Sequence, residues 1–192
     1  PAVTANNCER GAMNATIERA GDRPVVFITG ANGFIGRALG AYFAGHGFCV
    51  RGVDRSADPA RGVVAGDIVE PGPWENHLMG CAIVLHTAAV VSNAVPVAQQ
   101  WQTNVLGTRR IIESASRAGV GRVVHLSSVR AYGDRGFPDN VEESWPLRPD
   151  GHAYVDTKVA AEAVAFQAHA AGEVPVTVIR PGDVYGPGSR PW

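Results

Sequence analysis

The chain has 192 residues, of which 45% are apolar and 18% charged, with a formal net charge of −1. That is enough chain to bury one core, at a composition ordinary for a globular domain. Near-neutral charge without a basic block argues against nucleic acid or an anionic membrane as partner, and no apolar run reaches membrane-spanning length.

Residues 1–22 are polar and lack a strong period or a signal-peptide core, so they are expected to be a leader or disordered segment. Residues 25–28 form a short continuous apolar run, suited to a strand buried on both faces. Helical spacing follows over 35–45, then strands are expected at 48–53, 63–64 and 82–86. A single helix is expected over 98–118, stopped by Gly119. A strand at 122–126, a loop over 133–152, a helix over 154–171 ending at Gly172, and a strand at 176–179 complete the pattern. Strands alternating with helices predict an α/β fold with a parallel sheet covered on both faces. The Pro- and Gly-rich stretch 180–192 reads as a crossing into another lobe. Cys8, Cys49 and Cys81 are odd in number and lack metal or redox spacing. They read as free thiols in a reducing compartment, which predicts a cytoplasmic protein. The six histidines show no ligand spacing, so no metal is expected.

Three features carry chemistry. Thr29-Gly30-Ala31-Asn32-Gly33-Phe34-Ile35-Gly36 joins the first strand to the first helix. Glycines there permit a tight turn and close approach to a pyrophosphate, which rests on the free N–H groups of the helix start. Gly30, Gly33, Phe34, Ile35 and Gly36 are therefore candidate cofactor contacts. Asp54 ends the second strand, where an acid accepts hydrogen bonds from ribose hydroxyls. Its charge opposes a 2′-phosphate and favours NAD over NADP, although Arg55 beside it could accommodate that phosphate. Finally, Lys158 is the only lysine among seventeen strong bases, and it follows Tyr154 by four residues. On a helix the two share a face. An ammonium beside a phenol lowers the phenol pKa, as a general base working near neutrality requires.

With these motifs in this order, the chain resembles the extended short-chain dehydrogenase/reductase family, the NAD-dependent epimerase/dehydratase group, over residues 24–192. The group includes 3β-hydroxysteroid dehydrogenase-like enzymes. The resemblance extends to Gly66-Asp67-Ile68, which implies adenine contacts from Asp67 and Ile68. His86-Thr87-Ala88-Ala89 resembles the segment passing under the cofactor and brings in Thr87, Ala88 and Ala89. Thr103-Asn104-Val105 adds Asn104. Leu126-Ser127-Ser128-Val129-Arg130-Ala131-Tyr132-Gly133 implies that Ser128, rather than Ser127, is the catalytic hydroxyl. The segment from Arg180 to Gly188 implies that Pro181 and Val184 lie beside the nicotinamide.

The resemblance implies a Rossmann-type doubly wound sheet over 23–184, with 185–192 beginning a substrate lobe that is largely absent. It also implies an NAD-dependent oxidoreductase or epimerase working on a secondary alcohol or ketone, sugar-nucleotide or steroid-like. Ser128, Tyr154 and Lys158 would be its catalytic group, with Tyr154 and Lys158 also touching the cofactor. Val129 and Arg130 stand where the dehydratases carry an Asp-Glu pair, so dehydration is disfavoured. Surfaces at Trp101, Ile111, Ile112 and 159–171 would form a homodimer's helical interface, or alternatively pack on the sheet. Two competing readings remain: a non-catalytic dinucleotide-binding sensor or scaffold, and an inactive enzyme fragment.

Overall fold

The computed structural model describes residues 23–92, 94–133 and 140–189; the expected leader and Cys8 lie outside them. Six strands form one parallel sheet: β1 (Val25–Thr29), β2 (Cys49–Asp54), β3 (Val63–Ala65), β4 (Cys81–His86), β5 (Arg122–Leu126) and β6 (Val176–Ile179). Their order across the sheet is β3-β2-β1-β4-β5-β6. The chain winds outward from β1 in one direction, then returns to continue from β4 in the other. The crevice beyond the carboxyl ends of β1 and β4 is thus the switch point at which such sheets bind ligands.

The central strands are largely apolar on both faces because each face meets helices, whereas at the edge β6 leaves Thr177 and Ile179 exposed. On one side Val26, Ile28, Val50, Val63 and Leu85 pack with Leu39 and Phe43 of α1 (Phe34–Gly45). On the other, Phe27, Val84, Val123 and Val176 meet Ile111, Ile112 and Ala115 of α3 (Gly107–Arg117) and Ala165 and Ala168 of α4 (Ala153–Ala170). Fully burying an Ile side chain is worth about 2–3 kcal/mol. Ile111 and Ile112 are both fully buried, so they are sheet core rather than helix surface.

The helix expected over 98–118 is not continuous. It begins as α2 (Val97–Trp101), passes through a π-helical turn (Gln102–Leu106), and resumes as α3. A π turn inserts one residue and rotates everything after it. Here it turns Asn104 inward, to 2% exposure, and leaves Leu106 at 58%. Gly107 follows because a Cβ there would lie 2.8 Å from Ile68 Cδ1.

Among the described residues, no helix is long and apolar enough to cross a membrane. The cysteine expectation needs correction. Cys81 is a buried free thiol, but Cys49 is disulfide-bonded, so cysteine usage no longer argues for a reducing compartment.

Candidate active site

The glycine turn is packed tightly on both sides. Gly30 has φ +65°, and a Cβ on it would sit 2.9 Å from the Ala88 backbone. A Cβ on Gly36 would collide with the Gly30 carbonyl. Gly33 donates its N–H to Gly30 O (2.9 Å) and is the N-cap of α1. No side chain caps this helix, and its first turn holds no acid. The opening amides of α1, from Phe34 onward, therefore point free donors and the positive dipole end into the crevice. These features suit a pyrophosphate.

Asp54 lies beside that turn. Its Oδ2 accepts from the Asn32 amide (2.8 Å) and its Oδ1 from the Arg55 amide (2.7 Å). Each oxygen keeps a lone pair for a ribose hydroxyl. The sequence reading missed two bracing arginines. Arg37 donates to Asn32 O (2.8 Å), while Arg61 donates to Ala31 O (3.1 Å) and to Asn32 Oδ1 and pairs with Asp58 (2.7 Å). Their signal was weak: Arg37 follows the last glycine of the turn, and Arg61 immediately precedes the third strand's turn. Asp67 stays exposed and accepts from the Val69 amide (2.9 Å), whereas the Ile68 side chain is part of the core.

Behind the crevice is a buried polar layer. Thr29 Oγ1 accepts from the amides of Thr87 (3.2 Å) and Ala88 (3.1 Å), so its own proton goes to His86 Nδ1 (2.7 Å). Thr108 Oγ1 donates to Asn104 O (2.6 Å) and so accepts from His86 Nε2 (2.9 Å). This bonding requires a neutral imidazole protonated at Nε2. Burial, helped by the Lys158 charge, presses the His86 pKa down to about 3. The layer ties the segment under the expected cofactor to the π turn. Asn104 continues the link: it exchanges two hydrogen bonds with Val90 and donates to Thr157 Oγ1 (3.0 Å) on α4. Both its amide hydrogens are engaged within the protein.

Ser128, Tyr154 and Lys158 meet where β5 ends against α4. Ser128 caps a 3₁₀ turn (Val129–Tyr132), its Oγ accepting from the Arg130 amide (3.2 Å). Tyr154 opens α4. One turn on, buried Lys158 donates Nζ to Leu126 O (2.8 Å), with Nζ 5.9 Å from the Tyr154 ring centre. Burial raises the Tyr154 pKa; Ser128, as hydrogen-bond partner, and the Arg130 charge act against it. This corrects the expected lowering by Lys158. Desolvation outweighs both the Ser128 hydrogen bond and the Arg130 charge. Lys158 is itself pushed down to about 8 by burial, against the pull of Glu162.

Arg180, just beyond β6, clamps this corner together. It donates Nη2 to Glu162 Oε2 (2.7 Å) and Nε to Oε1 (3.0 Å), and Nη1 to Tyr132 Oη (2.6 Å) and Glu143 O (3.1 Å). Pro181 O accepts from the Val129 amide (3.0 Å), which holds the expected nicotinamide segment against the Ser128 turn; Val184 is exposed.

Sheet order, glycine turn and strand-end acid together define a dinucleotide-binding α/β protein. The family model for the NAD dependent epimerase/dehydratase family matches residues 26–191, and the chain belongs to that family. It is 32% identical, over 83% of its length, to 4-hydroxy-2-methyl-3-oxo-4-farnesyl-3,4-dihydroquinoline-1-oxide ketoreductase of Stigmatella aurantiaca, covering 50% of that protein. To dTDP-6-deoxy-L-talose 4-dehydrogenase (NAD(P)(+)) of Kitasatospora kifunensis it is 34% identical over 85% of this chain and 53% of that one. Among solved structures, MoeE5 in complex with UDP-glucuronic acid and NAD superposes with a TM-score of 0.76 at 35% identity, covering 86% of this chain and 57% of that one. The chain thus spans about half the length of the curated relatives it matches. The family is NAD-dependent, and the uncapped helix start and the accepting oxygens of Asp54 fit that cofactor.

Proposed function

We propose that this chain is the cofactor-binding half of an NAD-dependent oxidoreductase or epimerase that acts on a secondary alcohol or ketone. The convergence of Ser128, Tyr154 and Lys158 beside the glycine-turn crevice supports this reading most strongly. Bound NAD would exchange a hydride with the carbinol carbon. In the oxidative direction Tyr154 takes the hydroxyl proton as phenolate; in the reductive direction it returns it as phenol. Ser128 donates a hydrogen bond to the substrate oxygen and holds it near Tyr154. Lys158 has ammonium hydrogens left for the nicotinamide ribose, beyond the one given to Leu126 O. At the other end the first amides of α1 hold the pyrophosphate and Asp54 takes the adenosine ribose hydroxyls. Asp67 lies toward the adenine. Thr87, Ala88 and Ala89 pass under the cofactor, and Pro181 and Val184 border the nicotinamide.

The named relatives include one ketoreductase and one 4-dehydrogenase of a nucleotide sugar, and both chemistries interconvert a carbinol and a ketone. A sugar-nucleotide substrate is the reading we favour, supported by the MoeE5 resemblance. Exposed Trp101, Leu106 and Phe166 on the helices over the sheet suit a homodimer, and an NAD-dependent activity suits the cytoplasm.

The test uses this chain and a longer one that includes the following lobe, with NAD binding followed by fluorescence and turnover on a panel of alcohols and ketones. We expect both to bind NAD and only the longer one to turn over. In the longer protein Tyr154→Phe should lower kcat about a thousandfold while NAD affinity stays within a few-fold. Near-normal turnover in that variant would remove Tyr154 from the mechanism. NAD binding without turnover on any substrate would favour the sensor reading.

A further inference from the structure

A second cation faces the candidate phenol. The Arg130 guanidinium carbon lies 5.5 Å from the Tyr154 ring centre, nearer than Lys158 Nζ. Arg130 is held there by its turn. Its amide donates to Ser128 Oγ, the Ala131 amide to Ser128 O (3.0 Å), and the Gly133 amide to Arg130 O (2.9 Å). The turn is pinned from outside by Val129 N on Pro181 O (3.0 Å) and Arg148 N on Ala131 O (3.0 Å). The backbone that places Ser128 therefore also places Arg130.

The two cations differ in kind. Lys158 is buried and directed onto Leu126 O, and its charge is lost near the pH at which burial sets its pKa, about 8. A guanidinium keeps its charge throughout the working range. We propose that Arg130 acts on the reaction through Tyr154, as the pH-independent positive charge that favours the phenolate needed for proton abstraction. This rests on the reading of Tyr154 as acid/base. Arg130 is then a positioning residue that acts by electrostatics. Among the described residues, the other groups around the phenol are Ser128 after β5, Lys158 on α4 and, a turn further, Glu162, which Arg180 neutralises. His86 and His125, from β4 and β5, lie near enough to feel Lys158 and are held neutral by burial.

The experiment is the pH profile of kcat/KM for alcohol oxidation by the full-length protein with NAD. Removing a positive charge raises the phenol pKa, so Arg130→Met should move the acidic limb up by about one pH unit. The high-pH plateau should recover to within a few-fold and NAD affinity should be kept. Arg130→Lys should restore the wild-type limb. If Arg130→Met does not fold, Arg130→Gln against Arg130→Lys makes the same comparison. An unmoved limb in the neutral variants, with Tyr154→Phe inactive, overturns the proposal. Turnover in Tyr154→Phe overturns instead the reading beneath it.

Discussion

Lys158 directs its ammonium onto the carbonyl of Leu126, 2.8 Å away, at the point where β5 leaves the sheet. The interaction gives a buried cation one polar partner and fixes α4 against the strand that carries Ser128. It also leaves the charge incompletely solvated, which is why the pKa falls to about 8.

This depression has a measurable thermodynamic consequence. Between about pH 8 and 10.5 the unfolded chain holds a proton that the folded protein has released, so stability rises with pH across that window. Below pH 8 the folded state carries the full cost of the buried charge. Lys158 contributes a gain of about 3 kcal/mol over the window, opposed above about pH 9 by the buried Cys81 thiol, whose pKa burial raises to about 11. In urea unfolding Lys158→Met should lose the rise and keep only the opposing fall. A wild-type curve without the rise would mean that the ammonium is better solvated than its burial implies.

His86 predicts the opposite limb. Its folded pKa, about 3, lies below the ordinary 6.5, so on acidification the unfolded chain takes up a proton before the folded one. Stability is fully present above pH 6.5 and falls as pH drops toward 3, by roughly 5 kcal/mol from this residue. His86→Phe should flatten that acid limb, and at pH 7 should cost about 2–4 kcal/mol because the hydroxyls of Thr29 and Thr108 lose their partner. Acid unfolding followed by circular dichroism reads both.

Glu162 is fully buried and its only ion-pair partner among the described residues is Arg180. Arg180→Met should therefore destabilise by about 3–5 kcal/mol, since an uncompensated carboxylate remains inside. Adding Glu162→Gln should recover part of that loss. Equal loss in the single and double variants, measured by denaturant unfolding, would show that Arg180 acts through Tyr132 and the Glu143 carbonyl instead.

Asp54 should set cofactor choice. Calorimetry is expected to show NAD bound more tightly than NADP, and Asp54→Ser should reduce the preference about tenfold or more, as the acid's repulsion of a 2′-phosphate is removed. The same variant should keep its fold, because a serine hydroxyl can still accept from the Asn32 amide. Tighter NADP binding by the wild type would assign the pocket to Arg55, Arg37 and Arg61.

Much of the architecture can be read directly from the chain. β5 (Arg122–Leu126) and β6 (Val176–Ile179) have the bounds expected from the sequence, and the glycine turn, Asp54 and the four-residue Tyr154–Lys158 spacing are local patterns with local causes. Helix spacing, strand length and glycine geometry depend on neighbours a few residues away, and that is why a sequence reveals them. The π turn at Gln102–Leu106 shows in no local spacing, and Gly107 is needed only because Ile68 fills the space beside it in the fold. Likewise no spacing shows that Lys158 turns to Leu126, that Arg130 shares the phenol with it, or that Arg180 joins Glu162 from 18 residues away. Those pairings, and the pKa directions that follow, depend on burial. Burial is decided only when β5, β6 and α4 close on one another and exclude water from the charges between them.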